Sequence, residues 1–347
     1  MFGTNWRKVN QDSVSIDEIS SKFSVDPNLL KSVSLKYPFK LNRYYFSLIK
    51  DIGDPIWIQA VPDPRELECS DILKDDPFLE DSKLSPLPGL VHRYKDRVIL
   101  LVTGKCAMYC RHCMRKRRTG LTENNFFDRF DDILYYLKEH KDVFDVIISG
   151  GDPFLLDDDR IEFLLSEIKK VRSDIIIRIH TRTPVTLPQR ITPELCTILS
   201  RYNPLYINTH FNHFREITEQ SSLAVSRMSD TGIPLGCQTV LLKGVNDDFK
   251  TISKLFSSLL KIRVKPYYLH HPDPVQGTEH LRPDVETGLE LMKNLRGRIS
   301  GMAIPYYMID LPGGKGKVPI LPEYIEKKED KFLVVKNYMD KRVVYPL

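Results

Sequence analysis

Residues 98–113 read VILLVTGKCAMYCRHC and combine a short apolar run with three closely spaced cysteines. The apolar run VILLV, residues 98–102, has the length and the β-branched content of a buried strand. Cys106, Cys110 and Cys113 follow this run directly. Thiolates at this spacing can bind three irons of a four-iron, four-sulfur cluster and leave the fourth iron open to another ligand. We therefore predict a strand that leads into a metal-binding loop.

Strand-like runs recur after residue 97 and alternate with amphipathic helical segments. The predicted strands are VILLVT (98–103), DVIISG (145–150), IIIRIH (175–180), PLYINTH (204–210), IPLGCQTVLL (233–242) and KPYYLH (265–270). The predicted helices are 125–140, 158–172, 192–202, 214–231, 247–262 and 284–298. This alternation indicates βαβ units in an α/β protein with a parallel sheet, whose functional loops lie at the carboxyl ends of the strands. Six units are fewer than the eight of a closed TIM barrel.

The chain divides into three predicted parts. Residues 1–90 form a partly helical N-terminal extension, with helices predicted near Ile16 to Phe23 and Pro27 to Ser34. Residues 91–300 contain the βα units. Residues 301–347 form a C-terminal segment.

Composition excludes some classes of function. The 347 residues include 51 basic and 46 acidic side chains, a mild surplus that does not imply nucleic acid. Its local focus, Arg115 to Arg118, has the pattern of a solvated face. The apolar runs are too short to span a membrane, and the N-terminus has no apolar h-region. Six cysteines, three of them in one motif, do not resemble a secreted disulfide framework, so we expect a cytoplasmic protein.

The turn Ser149-Gly150-Gly151-Asp152-Pro153 follows the second predicted strand. Its two glycines let the backbone approach a ligand closely, and its carboxylate and carbonyls can face an ammonium group. A Gly-Gly-Asp-Pro sequence taken alone is more often just a turn. Its position one βα unit after the cysteines favours a binding role.

A glycine loop near the C-terminus, DLPGGKGKVP at 310–319, carries Lys315 and Lys317. A lysine on such a loop is suited to a Schiff base with pyridoxal phosphate, although an exposed loop is the commoner explanation. The residue chemistry leaves the choice between the two lysines open. The segment HRYKDR at 92–97 offers cations and donors for a cofactor phosphate, or is simply a charged turn before a strand.

A structural zinc site is the alternative for the three cysteines, with His112 or a distant cysteine completing the tetrahedron. Structural zinc usually uses paired Cys-x2-Cys knuckles. The remaining cysteines, Cys69, Cys196 and Cys237, stand alone, which favours the cluster.

The Cys-x3-Cys-x2-Cys motif is similar to that of radical SAM enzymes, and the chain from about Gly53 to Tyr324 resembles the lysine 2,3-aminomutases. The resemblance rests on PLPGLVHRYKDRVILLVTGKCAMYCRHCMRKRR (86–118), SGGDPFLL (149–156), TRTPVTLPQRI (181–191), NTHFNH (208–213), CQTVLLKGVND (237–247), KPYYLHHPDPVQGTEHLR (265–282) and DLPGGKGKVPILPEY (310–324). It implies a partial (β/α)6 radical SAM barrel with a C-terminal segment that carries the cofactor lysine. It also implies a [4Fe-4S] cluster, S-adenosyl-L-methionine (SAM) and pyridoxal 5′-phosphate.

The resemblance implies a role for each matching position. Cys106, Cys110 and Cys113 match the cluster ligands, and Lys317 matches the Schiff-base lysine, whereas Lys315 replaces a glycine of the family's loop. The pyridoxal phosphate group is matched by Arg93, Tyr94 and Arg97, the SAM pocket by His112, Gly150, Gly151, Asp152, His210 and Gln238, and the substrate-binding residues by Arg115, Asp273 and Asp310.

The activity implied by the resemblance is that of an isomerase that converts L-lysine to β-lysine. Arg115 would bind the substrate carboxylate, and Asp273 with Asp310 would hold its side-chain ammonium, because two carboxylates favour a cation and reject a negative side chain. An aminomutase for another amino acid such as glutamate would be expected to replace these aspartates. A branch that supplies β-lysine to elongation factor P is the other alternative, and it lacks the second aspartate.

The resemblance also implies partners. They are the small-molecule substrate L-lysine and an electron donor such as flavodoxin or ferredoxin. A homo-oligomer is compatible with the family. The longer members, however, carry a C-terminal cysteine cluster for interfacial zinc, and residues 327–347 contain no cysteine, so the oligomeric state stays open.

Overall fold

The computed structural model describes residues 5–68, 71–120 and 126–347. Its strands are β1 Leu90–Tyr94, β2 Arg97–Leu101, β3 Asp145–Ser149, β4 Ile176–His180, β5 Leu205–Thr209, β6 Leu235–Val240, β7 Lys265–His270, β8 Tyr306–Leu311, β9 Gly316–Pro319, β10 Ile325–Lys328, β11 Phe332–Lys336 and β12 Arg342–Pro346. Its helices are α1 Trp6–Gln11, α2 Ile16–Phe23, α3 Pro27–Lys36, α4 Arg43–Phe46, α5 Pro55–Ala60, α6 Phe130–Glu139, α7 Asp158–Val171, α8 Thr183–Thr186, α9 Pro193–Ser200, α10 Glu219–Asp230, α11 Phe249–Lys261 and α12 Val285–Leu295. Short 3₁₀ turns connect several of them.

Nine strands form one sheet in the order in which they occur along the chain, β1 to β9. Strands β2 to β8 are parallel, with each strand hydrogen-bonded to the next. The sheet begins and ends with an antiparallel pair, β1 with β2 and β8 with β9. The predicted α/β fold with a partial barrel is confirmed, and β1, β8 and β9 are additions to the six predicted strands.

The helices cover the outside of the sheet because their apolar residues recur at spacings of three and four. In α11, Ile252, Leu255 and Leu259 are fully buried, and Asp248 caps the first turn by accepting from the Thr251 N–H. Burial of each such side chain contributes about 1.5–3 kcal/mol.

The six predicted strands correspond to β2 through β7, and each predicted helix overlaps an observed one. The helix predicted at 125–140 is observed as a 3₁₀ turn at 127–129 followed by α6, while residue 125 lies outside the described residues. The helices predicted in the extension correspond to α2 and α3. The extension also contains α1, α4 and α5, which were not predicted. The division of the chain at residues 90 and 300 stays a prediction.

The N-terminal extension packs against the mouth of the barrel rather than extending into solvent. Asn42 is fully buried, and its Nδ2 donates to the carbonyl oxygen of Thr186 at 2.8 Å. At the other end of the chain, β10, β11 and β12 form a separate three-stranded antiparallel sheet. In the described part of the chain, no helix combines the length and apolar character needed to cross a bilayer.

Candidate active site

A cavity of about 480 Å³ opens at the carboxyl ends of the parallel strands, and every residue assigned to a site from the sequence lines it. These residues are Arg93, Tyr94, Arg97, Cys106, Cys110, His112, Cys113, Arg115, Gly150, Gly151, Asp152, His210, Gln238, Asp273, Asp310 and Lys317. They come from sequence positions more than 200 residues apart. Their individual roles stay predictions, but the fold brings all of them to one place.

The loop after β2 brings Cys106, Cys110 and Cys113 to the cavity as free, half-buried thiols. Burial raises the pKa of Cys106 well above its usual value, and the neighbouring Asp152 and the other two thiols add to this effect. Thiolates that are buried together require a cation to offset their charge. This donor set therefore fits an iron cluster.

The zinc alternative requires ligands that converge on one point. Among the described residues, no three His, Cys, Asp or Glu side chains are arranged to hold a single metal ion. In a four-iron cluster each thiolate binds a different iron, so such convergence is not required. Cys196 and Cys237 are buried in the core, and Cys69 lies outside the described residues.

The Gly-Gly-Asp turn packs directly on the cysteine loop. Gly151 N–H donates to the carbonyl oxygen of Thr103 at 2.5 Å, and Asp152 N–H donates to that of Lys105 at 2.8 Å. A Cβ on Gly150 or Gly151 would collide with these same backbone atoms, so the close approach requires glycine.

The Asp152 carboxylate is buried and already has protein donors. The Thr181 hydroxyl donates to Oδ1 at 2.6 Å, and the Arg182 N–H donates to Oδ2 at 2.8 Å. Burial nevertheless raises the pKa of Asp152. The carboxylate thus connects the turn after β3 to the end of β4. Because the carboxylate is already occupied, the turn offers a ligand mainly its backbone groups.

His112 and His210 line the part of the cavity assigned to SAM. Burial lowers the pKa of both imidazoles, that of His210 to about 4, so both are neutral near pH 7. His112 Nε2 lies 3.2 Å from the Asn212 side-chain amide, while its buried Nδ1 finds no hydrogen-bond partner among the described residues. An unpaired buried nitrogen at a cavity wall fits a site built for a polar ligand.

Arg115 is held by the buried carboxylate of Glu80, a partner that the sequence did not reveal. Its Nε and Nη2 each donate to Glu80 at 2.8 Å, and its Nη1 lies 3.5 Å from the Ser149 hydroxyl. Glu80 fixes the orientation of the guanidinium and leaves Nη1 as the donor on the cavity side.

The basic run from Arg115 to Arg118 is not a solvated face, contrary to its sequence pattern. Lys116 is 5% exposed, and Arg117 pairs with Asp76 at 3.0 Å and with Asp81 at 2.6 Å. The acidic segment 75–81 therefore neutralises the arginines of the run, whereas Lys116 pairs with Glu66. Sequence spacing could not reveal this pairing because the two segments are about 35 residues apart.

Lys317 forms an ion pair with Asp310, and Asp310 also pairs with Arg93 at 2.5 Å. The Arg93 Nε donates to the carbonyl oxygen of Gly314 at 3.0 Å, and the Lys317 backbone N–H donates to the Tyr94 hydroxyl at 2.9 Å. Residues of β1 thereby contact both β9 and the loop that precedes it. Pyridoxal phosphate fits this corner, which offers a lysine amine beside the cations Arg93 and Arg97.

Asp273 follows β7 and completes the acidic side of the cavity. Burial raises the pKa of its carboxyl group to about 7; Lys317 lowers it, whereas Asp310 and Glu80 raise it. Asp273 and Asp310 are thus close enough to influence each other's charge. Two such carboxylates at one cavity form a site for a cation, since each is costly to bury in ionised form without one.

Several further cavity residues were not assigned a role from the sequence, and three of them could have been. They are Arg182, His180 and His270, each of which stands at or just beyond the carboxyl end of a parallel strand. That position was a usable signal for all three. Glu80 had no comparable signal because it lies in an irregular segment.

Comparison with known proteins gives matches over most of the chain. Residues 100–256 match a sequence model of the radical SAM superfamily, and residues 292–346 match one described as lysine-2,3-aminomutase. The chain is 47% identical over 317 residues to a putative L-lysine 2,3-aminomutase of Aquifex aeolicus, covering 89% of this chain and 84% of the relative. It is 44% identical to the L-lysine 2,3-aminomutase of Clostridium subterminale, covering 86% of this chain and 72% of the relative.

A relative with a different named substrate is also similar. The chain is 40% identical to a glutamate 2,3-aminomutase of Clostridioides difficile, covering 97% of this chain and 80% of the relative. Among solved structures, a radical SAM methyltransferase from Sphaerobacter thermophilus matches 64% of this chain and 68% of its own, with 17% identity and a TM-score of 0.45.

Proposed function

Because this chain belongs to the lysine 2,3-aminomutase family of radical SAM enzymes, we propose that it isomerises L-lysine to β-lysine. The reaction moves the α-amino group to the neighbouring carbon. The family implies a [4Fe-4S] cluster, SAM and pyridoxal phosphate, and the donor groups around the cavity fit all three.

One observation supports the choice of lysine over other amino acids. Asp310 is 5% exposed, lines the cavity and pairs with an ammonium group, that of Lys317. With Asp273 beside it, this side of the cavity suits a substrate whose side chain ends in an ammonium. A substrate side chain with a carboxylate would meet two like charges there.

We assign Arg115 to the opposite charge on the substrate. Its Nη1 would donate to the substrate carboxylate while Glu80 holds Nε and Nη2. The two ends of lysine would then be fixed by Arg115 and by the aspartate pair, which orients the carbon atoms between them. Holding the reacting atoms in the required alignment supplies a large part of the rate acceleration in such reactions.

The remaining assignments concern the cofactors. Cys106, Cys110 and Cys113 would bind the cluster, the Gly150 to Asp152 turn with His112, His210 and Gln238 would bind SAM, and Arg93, Tyr94, Arg97 and Lys317 would bind pyridoxal phosphate. When bound, the cluster and SAM supply the radical, and pyridoxal phosphate supplies the π-system that assists nitrogen migration. The enclosing walls keep water from the reacting atoms.

The decisive experiment supplies the reconstituted protein with pyridoxal phosphate, SAM, dithionite and either L-lysine or L-glutamate under anaerobic conditions. Chromatography of the derivatised amino acids should detect β-lysine and no β-glutamate. Formation of β-glutamate would show that the substrate is glutamate and not lysine. Cleavage of SAM without either product would retain the radical chemistry and refute both substrates.

We also propose that the protein works in the cytoplasm and receives electrons from a flavodoxin or ferredoxin. The low potentials of such donors match the demand of reducing an iron–sulfur cluster. Purified candidate donors should support lysine turnover in place of dithionite.

A further inference from the structure

Arg182 follows β4 directly, and its guanidinium lies against the cysteine loop. Its Nη1 donates to the sulfur of Cys110 at 2.8 Å, while its Nη2 donates to Gln59 at 2.5 Å and to Glu216 at 2.7 Å. The arginine is 9% exposed. A permanent positive charge that is largely shielded from solvent therefore contacts one of the cysteines assigned to the cluster.

Glu216 places the balancing negative charge on the far side of Arg182. It is fully buried, and its Oε2 accepts from the backbone N–H groups of Asn212 at 2.6 Å and His213 at 2.9 Å. The Tyr45 hydroxyl donates to its Oε1 at 2.6 Å. Both charges are thus fixed in position, with the positive one nearer to the sulfur.

We propose that Arg182 and Glu216 set the reduction potential of the cluster in opposite directions. The proposal rests on the proposed function only in that a cluster occupies the cysteine loop. Reduction adds one electron to the cluster, and an N–H donor and a positive charge at a ligand sulfur stabilise the additional negative charge. Glu216 weakens this effect because its charge has the opposite sign.

The step concerned is electron transfer from the external donor to the cluster, in which no bond is formed or broken. Arg182 is accordingly a positioning and tuning residue that acts through Cys110. It makes reduction of the cluster easier for the donor. Its Nε has no hydrogen-bond partner among the described residues, so a cavity ligand could contact it as well.

The test is a potentiometric titration of the reconstituted protein, followed by electron paramagnetic resonance of the reduced cluster, without SAM or lysine. In Arg182→Gln the ratio of reduced to oxidised cluster at a fixed potential should fall about tenfold, which corresponds to about 59 mV for one electron. In Glu216→Gln the ratio should rise. Arg182→Lys keeps the charge but loses the forked donor, so its ratio should fall less.

Arg190→Gln is the matched control, because Arg190 is also fully buried but donates to the carbonyl oxygen of Phe154 and pairs with Asp158. Its reduced fraction should equal that of the wild type. If Arg182→Gln fails to retain iron, Arg182→Lys is compared with Glu216→Gln instead.

Shifts in the same direction for Arg182 and Glu216 variants would overturn the proposal. So would an unchanged ratio in Arg182→Gln, and a weaker SAM affinity in that variant would then assign Arg182 to the SAM site. If the wild-type protein bound no iron or sulfide, the proposed function itself would fail. The two failures are therefore distinguishable.

Discussion

Burial raises the pKa of Asp273 to about 7, so this carboxyl group changes charge within the pH range used for most enzyme assays. Its acid form predominates below pH 7 and cannot offer a negative charge to a substrate ammonium. The ammonium of free lysine, with a pKa near 10.4, stays protonated throughout this range. Substrate affinity should therefore increase as the pH rises through 7.

We expect the KM for lysine to fall by roughly tenfold between pH 6 and pH 8, because about a tenth of Asp273 is ionised one unit below its pKa. Initial rates at saturating cofactors would measure this. Asp273→Asn should keep a high KM at every pH. A KM that does not change with pH in the wild type would contradict the assignment of Asp273.

The two lysines of the glycine loop differ in where they lie. Lys317 lines the cavity, whereas Lys315 is not among the lining residues. We expect borohydride reduction of the pyridoxal phosphate-loaded protein to label Lys317. Lys317→Ala should lose the label, and its matched control Lys315→Ala should retain it. A labelled Lys315 in the peptide map would reverse the assignment.

Residue chemistry alone left this choice open, because both lysines flank the same glycine. The resemblance to a family favours Lys317, and in the structure β9 pairs Lys317 with Asp310 across the β8–β9 hairpin. Glu80 is the opposite case. Nothing in its local sequence indicates that it contacts Arg115, since the contact depends on tertiary folding.

At the scale of secondary structure elements, the cysteine loop is held by a short 3₁₀ turn of the N-terminal extension, Pro64–Leu67. Within it, Glu66 accepts from Arg111 Nε at 2.8 Å and from Lys116 Nζ at 2.5 Å. Arg111 lies between two of the cysteines assigned to the cluster, and Lys116 lies just after the third. One fully buried carboxylate thus holds both arms of the loop.

Glu66→Gln should destabilise the protein by about 3–5 kcal/mol, because it leaves the buried charges of Arg111 and Lys116 without a counter-ion. It should also release iron to a chelator faster than the wild type does. Thermal unfolding and the chelation rate measure the two effects. Glu68→Gln, on the exposed side of the same segment, is the control, and equal behaviour of the two variants would refute the role of Glu66.

The pH dependence of the Glu66 variant follows from Lys116. Burial lowers the pKa of Lys116 to about 8 even with Glu66 present. Without that carboxylate the pKa of Lys116 falls further, so the part of the lost stability that comes from its buried charge should return as the pH rises towards 8.

The regular elements were predictable where the apolar pattern was clear. The strand ends lie within three residues of the predicted ones because β-branched runs bounded by polar residues mark them well. The segment from Asp54 to Pro88 is rich in proline and aspartate, which gave no clear helix signal. It nevertheless contains α5, because Asp54 caps that helix by accepting from the backbone N–H groups of Ile56 and Trp57.

At the scale of the whole molecule, the parallel strands of the barrel were predictable, but the strands at the two ends of its sheet were not. Repeated βα units indicate a parallel sheet whatever lies at its ends. The terminal strands β1, β8 and β9 depend on pairings that a local pattern does not contain. The sheet therefore has three more strands than predicted, and two of them carry residues assigned to pyridoxal phosphate.

Strands β1 and β9 are the two ends of the sheet, and side chains of Arg93 and Tyr94 cross from one end to the other. These contacts join residues 221 and 223 positions apart. During synthesis, the cavity cannot be complete until Lys317 has emerged from the ribosome. The parallel strands can fold earlier, but closing so long a loop costs entropy that only the finished chain can offset. Assembly of this enzyme is therefore a late, long-range event, and the corner assigned to pyridoxal phosphate is where it finishes.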